Sequence, residues 1–168
     1  MKGIKMYLYP TLFTLHIIFA GGWLISFISD IYLKSLLNKN KGQDYEIKFI
    51  DIYLTLTNLN GIVSATGILI TGILITLLNP VYTFFQFTAN HWLTTKQILM
   101  VISLLLIFFY IIPTAKKLRK FIPKNSDTKI QLNEEGYNYL NTIFRINRLI
   151  NLIVIINFIL AITHRFIN

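Results

Sequence analysis

The chain has 168 residues, 54% of them hydrophobic and only 14% charged, where a soluble domain of this size carries nearer a quarter. Lys and Arg outnumber Asp and Glu to give a net charge of +9, but they lie between apolar runs rather than along one patch. That pattern argues against nucleic-acid binding and for membrane orientation. The absence of Cys excludes disulfides, Cys-ligated zinc, iron–sulfur clusters and thiol nucleophiles.

Four apolar runs, at about 7–33, 52–78, 96–115 and 143–163, are long and show no strand-like alternation. They predict an all-α membrane protein: one domain over 1–168, folded as an antiparallel bundle of four transmembrane helices. The first run follows a short basic segment, Met1 to Lys5, as a signal peptide does. It is too long for such a signal and lacks a small-residue cleavage site, so an uncleaved span is expected.

The first run, Tyr7 to Leu33, contains no Lys or Arg and holds a histidine, His16. An imidazole at membrane depth should face other helices, a cofactor or a water-filled pocket. At 100° per residue Ala20, Trp23, Phe27 and Asp30 fall within roughly 40° of His16, which defines an inward face. Asp30 lies four residues before Lys34, the spacing of a weak surface ion pair. In the second run, Asn58, Gly61, Ser64, Gly67, Thr71 and Gly72 share half of the circumference. Small residues at this spacing admit a neighbouring helix or a flat ligand.

Pro80 and Pro113 stand near the ends of the second and third runs. The third run opens on Trp92 and Lys96, and Lys96, Met100, Ser103, Ile107 and Tyr110 predict one stripe. In the fourth, Asn157 and His164 share a face, and Arg145 and Arg148 point almost oppositely, toward headgroups. Between them, Lys116 to Glu135 reads as a solvated loop with room for a short surface helix. The first and third connections are rich in Lys and Arg and the second, 79–95, has none. A cytoplasmic first and third connection follows, with both termini on the outer face. His16, His91, Lys96 and His164 then all belong to the outer half, with His16 roughly 13 Å in from Tyr7.

The short motifs Leu15-His16, Gly21-Gly22-Trp23, Thr71-Gly72-Ile73-Leu74, Trp92-Leu93-Thr94-Thr95-Lys96 and Phe144-Arg145-Ile146 are spread over all four runs, so that the likeness they carry spans nearly the whole chain. Together they resemble the superfamily of small bacterial four-helix membrane proteins. That superfamily includes a haem-binding protoporphyrinogen oxidase, the copper-resistance D membrane domain and an uncharacterised family of predicted integral membrane proteins.

The resemblance implies a bacterial inner-membrane location and b-type haem, or a related tetrapyrrole, with His16 as iron ligand and Lys96 as the functional lysine. Trp23, Thr71 and Gly72 would lie around the cofactor. Oxidation of a porphyrinogen or electron transfer to a quinone is the implied chemistry. Two stretches depart from the oxidase. Ser29-Asp30-Ile31-Tyr32 stands where it has an arginine and a second histidine, and Asn147-Arg148-Leu149-Ile150 replaces its Asn-Glu-x-Pro. The run Phe109 to Pro113, followed by basic residues, is closer to the uncharacterised family.

The residues themselves leave other readings open. His16 can hydrogen-bond a neighbouring helix, Lys96 can snorkel beside Trp92 or transfer a proton, and His16, His91 and His164 can form a copper or zinc site. A non-catalytic role in metal handling, as a homo-oligomer or as a helix-packing subunit of a larger complex, is the alternative to the redox reading.

Overall fold

The computed structural model describes the backbone of residues 2–122 and 131–167, with side chains except at 2–6, 89–90 and 164–167. Helix α1 spans Lys2–Lys39 and α2 spans Glu46–Leu78. Helix α3, Phe87–Leu106, runs through a π-turn, Ile107–Ile111, into α4, Ile112–Leu118, and ends in a 3₁₀ turn, Arg119–Phe121. Helix α5 spans Glu134–Ile167. Four helical segments, α1, α2, α3 with α4, and α5, are long and apolar enough to cross a bilayer, so the chain is a multi-pass membrane protein. Both termini and the 79–86 connection lie at one face, the termini face. The 40–45 connection and the approach to α5 lie at the other, the basic face.

The helices outrun the expected apolar segments, because polar turns continue them beyond the hydrocarbon. At the basic face α5 starts nine residues before its apolar run. Asn133 Oδ1 accepts the Gly136 N–H at 2.8 Å, and Glu134 and Glu135 sit in the positively polarised first turn. The part of the expected loop at Lys116–Phe121 is helical, and residues 123–130 of that loop lie outside the described residues.

Helix α1 shows the bundle a seam at alternating steps of four and three. It runs Leu12, His16, Phe19, Trp23, Ser26, Asp30, Leu33 and Leu37, of which His16 and Phe19 are half-buried and the rest buried. The opposite arc, including Ile17, Ile25, Ile28 and Ile31, is exposed, as lipid requires. Antiparallel α2 answers with Ile50, Tyr53, Thr57, Ser64, Thr71 and Ile75.

The approach of these two helices is close. A Cβ placed on Gly22 would stand 2.7 Å from Ser64 Oγ, and one on Gly67 would overlap the Phe19 ring. The small-residue face of α2 is thus used largely by α1 itself. At the basic face, Gly42, at φ +77°, donates its N–H to Glu46 Oε2 at 2.9 Å. Glu46 also accepts the Tyr137 hydroxyl at 2.6 Å, and Lys41 lies over the Tyr137 ring, which ties the first connection to α5. At the termini face, Gln97 accepts the Phe85 N–H and donates to the Thr83 carbonyl, pinning the second connection to α3.

The expected inward stripe of the third span holds through Ser103 and Ile107 and then shifts by one residue. Ile111, only 4% exposed, takes the inward position and Tyr110 is 53% exposed to the outside. Pro113 is the cause. It lacks an N–H and its ring cannot pass the preceding turn, so the helix widens and Ile112 N–H bonds the Ile107 carbonyl. Pro80, by contrast, sits just past the end of α2, as expected.

Gly67→Ala should destabilise the bundle by about 1–3 kcal/mol, the cost of forcing a methyl into the Phe19 contact. Gly21→Ala, with nothing within 4 Å of its added Cβ, should leave the unfolding temperature in detergent unchanged apart from its propensity gain.

Candidate functional site: two polar stations along α1

The inward seam of α1 carries two polar stations about 21 Å apart along the helix. The one nearer the termini face is built on His16. Its Nδ1 lies 2.8 Å from Thr71 Oγ1, and Thr71 hands its own hydroxyl proton to the Gly67 carbonyl at 2.6 Å. The Thr71 oxygen therefore accepts from Nδ1–H, and the imidazole keeps its lone pair on Nε2. The Ile68 carbonyl of α2 also lies within hydrogen-bonding reach of the ring.

The Cε1 edge of the ring faces Gly72, where an added Cβ would be 3.4 Å away. Lys96 lies 5.6 Å from the Trp92 ring centroid, and its charge acts on the His16 imidazole. The structure thus brings together His16, Thr71, Gly72 and Lys96, and it gives Lys96 the aromatic neighbour expected of an anchor. Thr94, fully buried on α3, and Asn157 on α5 each hold a buried oxygen, Oγ1 and Oδ1, without a hydrogen-bond partner.

Other expected site residues fall elsewhere. Trp23 is buried about 10 Å further along α1 and lines the second station rather than the first. His91 is exposed on α3, and the His164 side chain lies outside the described residues. Among the described residues no three His, Asp or Glu side chains converge on a metal position.

The second station centres on Asp30, only 7% exposed, toward the basic face. Tyr53, fully buried on α2, donates its hydroxyl to Asp30 Oδ1 at 2.6 Å. From α5, Asn151 Nδ2 donates to Oδ2 at 2.9 Å, and Asn147 Nδ2 donates to Tyr53 Oη at 2.9 Å and to Oδ1 at 3.4 Å. One carboxylate thereby joins three helices. The Tyr53 ring also packs edge-on against Phe144 of α5 at 5.2 Å.

The expected Asp30–Lys34 surface pair does not form. Asp30 turns into the bundle, where it gains three neutral donors, and Lys34 lies 4.7 Å over the Phe144 ring. A cavity of about 40 Å³ adjoins the carboxylate, with Trp23 and the π-turn residues Ile107 and Ile111 among its walls. Periodicity could have revealed this station. Asn147 and Asn151 stand one helical turn apart on the seam of α5 that also carries Ile143, Ile150 and Val154, and an inward acid needs such donors.

Comparison of the chain with family models, curated proteins and solved structures returned no match.

Tyr53→Phe keeps the Phe144 contact and removes the 2.6 Å hydrogen bond to a carboxylate. Thermal unfolding in detergent should show a loss of about 1.5–3 kcal/mol. Lys34→Ala should cost less, about 0.5–1 kcal/mol for a half-buried cation over a ring. The reverse order would restore the ion pair as the partner of Asp30.

Proposed function

We propose that this multi-pass protein resides in the bacterial inner membrane with both termini outward and holds b-type haem, or a related tetrapyrrole, in the outer half of its bundle. His16 is the iron ligand. Lys96 is the partner of a propionate carboxylate or the group that passes a proton to the substrate. The reading rests first on the His16–Thr71 hydrogen bond, which orients the imidazole through Nδ1; in the Nδ1–H tautomer Nε2 is the donor atom. Metal-binding histidines are commonly oriented in this way by a partner on the other ring nitrogen.

The donor set is compatible with the group. An imidazole supplies the usual axial ligand, an ammonium in the same leaflet matches a carboxylate, and two unpartnered buried oxygens lie in the same half of the bundle. Haem, when bound, supplies one-electron redox chemistry. The chain orients the ligand through Thr71, keeps lipid and water away with the apolar walls of α1 and α2, and places a charge through Lys96. The reaction class is electron exchange with a quinone or oxidation of a porphyrinogen. Gly72 serves by letting the imidazole lie against α2.

A second reading, a non-catalytic packing subunit or metal-handling protein, draws on the way Gly22 and Gly67 are consumed by helix contacts.

Protein purified in mild detergent from haem-replete cells should show a Soret band that is lost in His16→Ala and kept in His91→Ala. Colourless protein, or a band indifferent to His16, contradicts the assignment. Copper uptake dependent on His16 in colourless protein selects the metal-handling reading.

A further inference from the structure

Asp30 takes no part in the function proposed above, and its surroundings point to a ligand of its own. Every group that hydrogen-bonds it is neutral and donates: the Tyr53 hydroxyl and Asn147 amide on Oδ1, and the Asn151 amide on Oδ2. Both carboxylate oxygens are thus used as acceptors. A buried anion without a cation beside it is costly in a membrane interior.

The charged groups of the packed elements do not supply that cation. Lys34 on α1 is over Phe144, Arg145 and Arg148 on α5 are exposed, as are Asp51 on α2 and Lys116 and Lys117 on α4, and α3 with its π-turn presents Ile107 and Ile111. The cavity of about 40 Å³ beside the carboxylate is lined by further oxygen-bearing side chains, Ser26, Thr57 and Asn58, along with Asn147 and Asn151. Ser26 and Thr57 spend their protons on the Gly22 and Tyr53 carbonyls, so their lone pairs remain to accept. Both asparagines spend amide hydrogens on the Asp30–Tyr53 pair and keep their carbonyl oxygens.

We infer that this cavity is a binding site for one sodium ion, with Asp30 as its counter-charge and neutral oxygens as its remaining ligands. A single carboxylate matches a single positive charge, and hard oxygen donors suit such an ion. The volume accommodates the ion with one or two waters at roughly 10–15 Å³ each. Binding would compensate the one buried negative charge that links α1, α2 and α5. This site is independent of His16 and of any tetrapyrrole.

The test uses the full chain in detergent and a hydrophobic carbodiimide, which modifies carboxyl groups in their protonated form. Labelling of the Asp30 peptide is quantified by mass spectrometry in sodium chloride and in equimolar choline chloride, over a range of pH. At sodium about ten times its dissociation constant, labelling should slow by about tenfold by mass action. That result assigns the site to sodium. Labelling that rises as pH falls but ignores sodium reports only a carboxyl taking up its own proton, and it overturns the proposal. Labelling of Asp30 that responds to neither, or a sodium effect of equal size at Glu46, overturns the proposal. A rise in unfolding temperature with sodium that survives in Asp30→Asn overturns it as well, and if that variant does not fold, labelling of the native chain decides.

Discussion

Close packing of α1 on α2 sets the rotation of α1, and that rotation places every polar side chain of the interior. Gly22 lies against Ser64, Phe19 covers Gly67, and His16 meets Thr71 and Gly72. The pairs run antiparallel in one register, so a single rotation satisfies them all. Lipid offers no hydrophobic drive for helices to associate, and contacts of this kind, with hydrogen bonds between helices, carry the association instead. Turned by 100°, α1 would present Ile17 and Ile31 inward and deliver an imidazole and a carboxylate to acyl chains.

Given that rotation, the two stations satisfy their polar groups in different ways. At His16 the imidazole is held on α2 by the Thr71 hydroxyl, with the Ile68 carbonyl nearby. At Asp30 the carboxylate is solvated by a hydroxyl and two amides from two other helices, with no base in contact. An ion pair with Lys34 would have drawn both side chains to the surface and left the Tyr53 hydroxyl hydrogen and the Asn151 amide without their acceptor in the interior, where each lost hydrogen bond costs about 1–3 kcal/mol. The inward arrangement satisfies four polar residues together and lets Lys34 rest on Phe144.

Much of this architecture is written in the apolar runs. Four long stretches without alternation dictate four helical spans, and the 3.6-residue period puts His16, Trp23 and Asp30 on the inward face of α1, where they are found. The period also groups Ser64, Gly67, Thr71 and Gly72, although their close approach is made to α1. Periodicity misleads at Tyr110, because it assumes an unbroken helix and Pro113 inserts a π-turn that moves Ile111 inward. Spacing within one helix misleads at Asp30, because the i+4 rule sees Lys34 and cannot see donors on α2 and α5. The helices extend past the apolar runs, since hydropathy marks where the chain enters and leaves hydrocarbon and caps such as Asn133 mark where a helix begins.

The inward rotation of α1 can be tested directly, because the chain has no native Cys. A Cβ on Gly22 would lie 3.8 Å from the Ser64 Cβ, within the 3.5–4.5 Å range that a disulfide spans. The measurement is oxidative cross-linking of single cysteine pairs in native membranes. Gly22→Cys with Ser64→Cys should cross-link rapidly, and Ile25→Cys with Ser64→Cys, which places the first thiol toward lipid, should not. Efficient cross-linking of the second pair and none of the first would mean that α1 is rotated away from the register on which both stations depend.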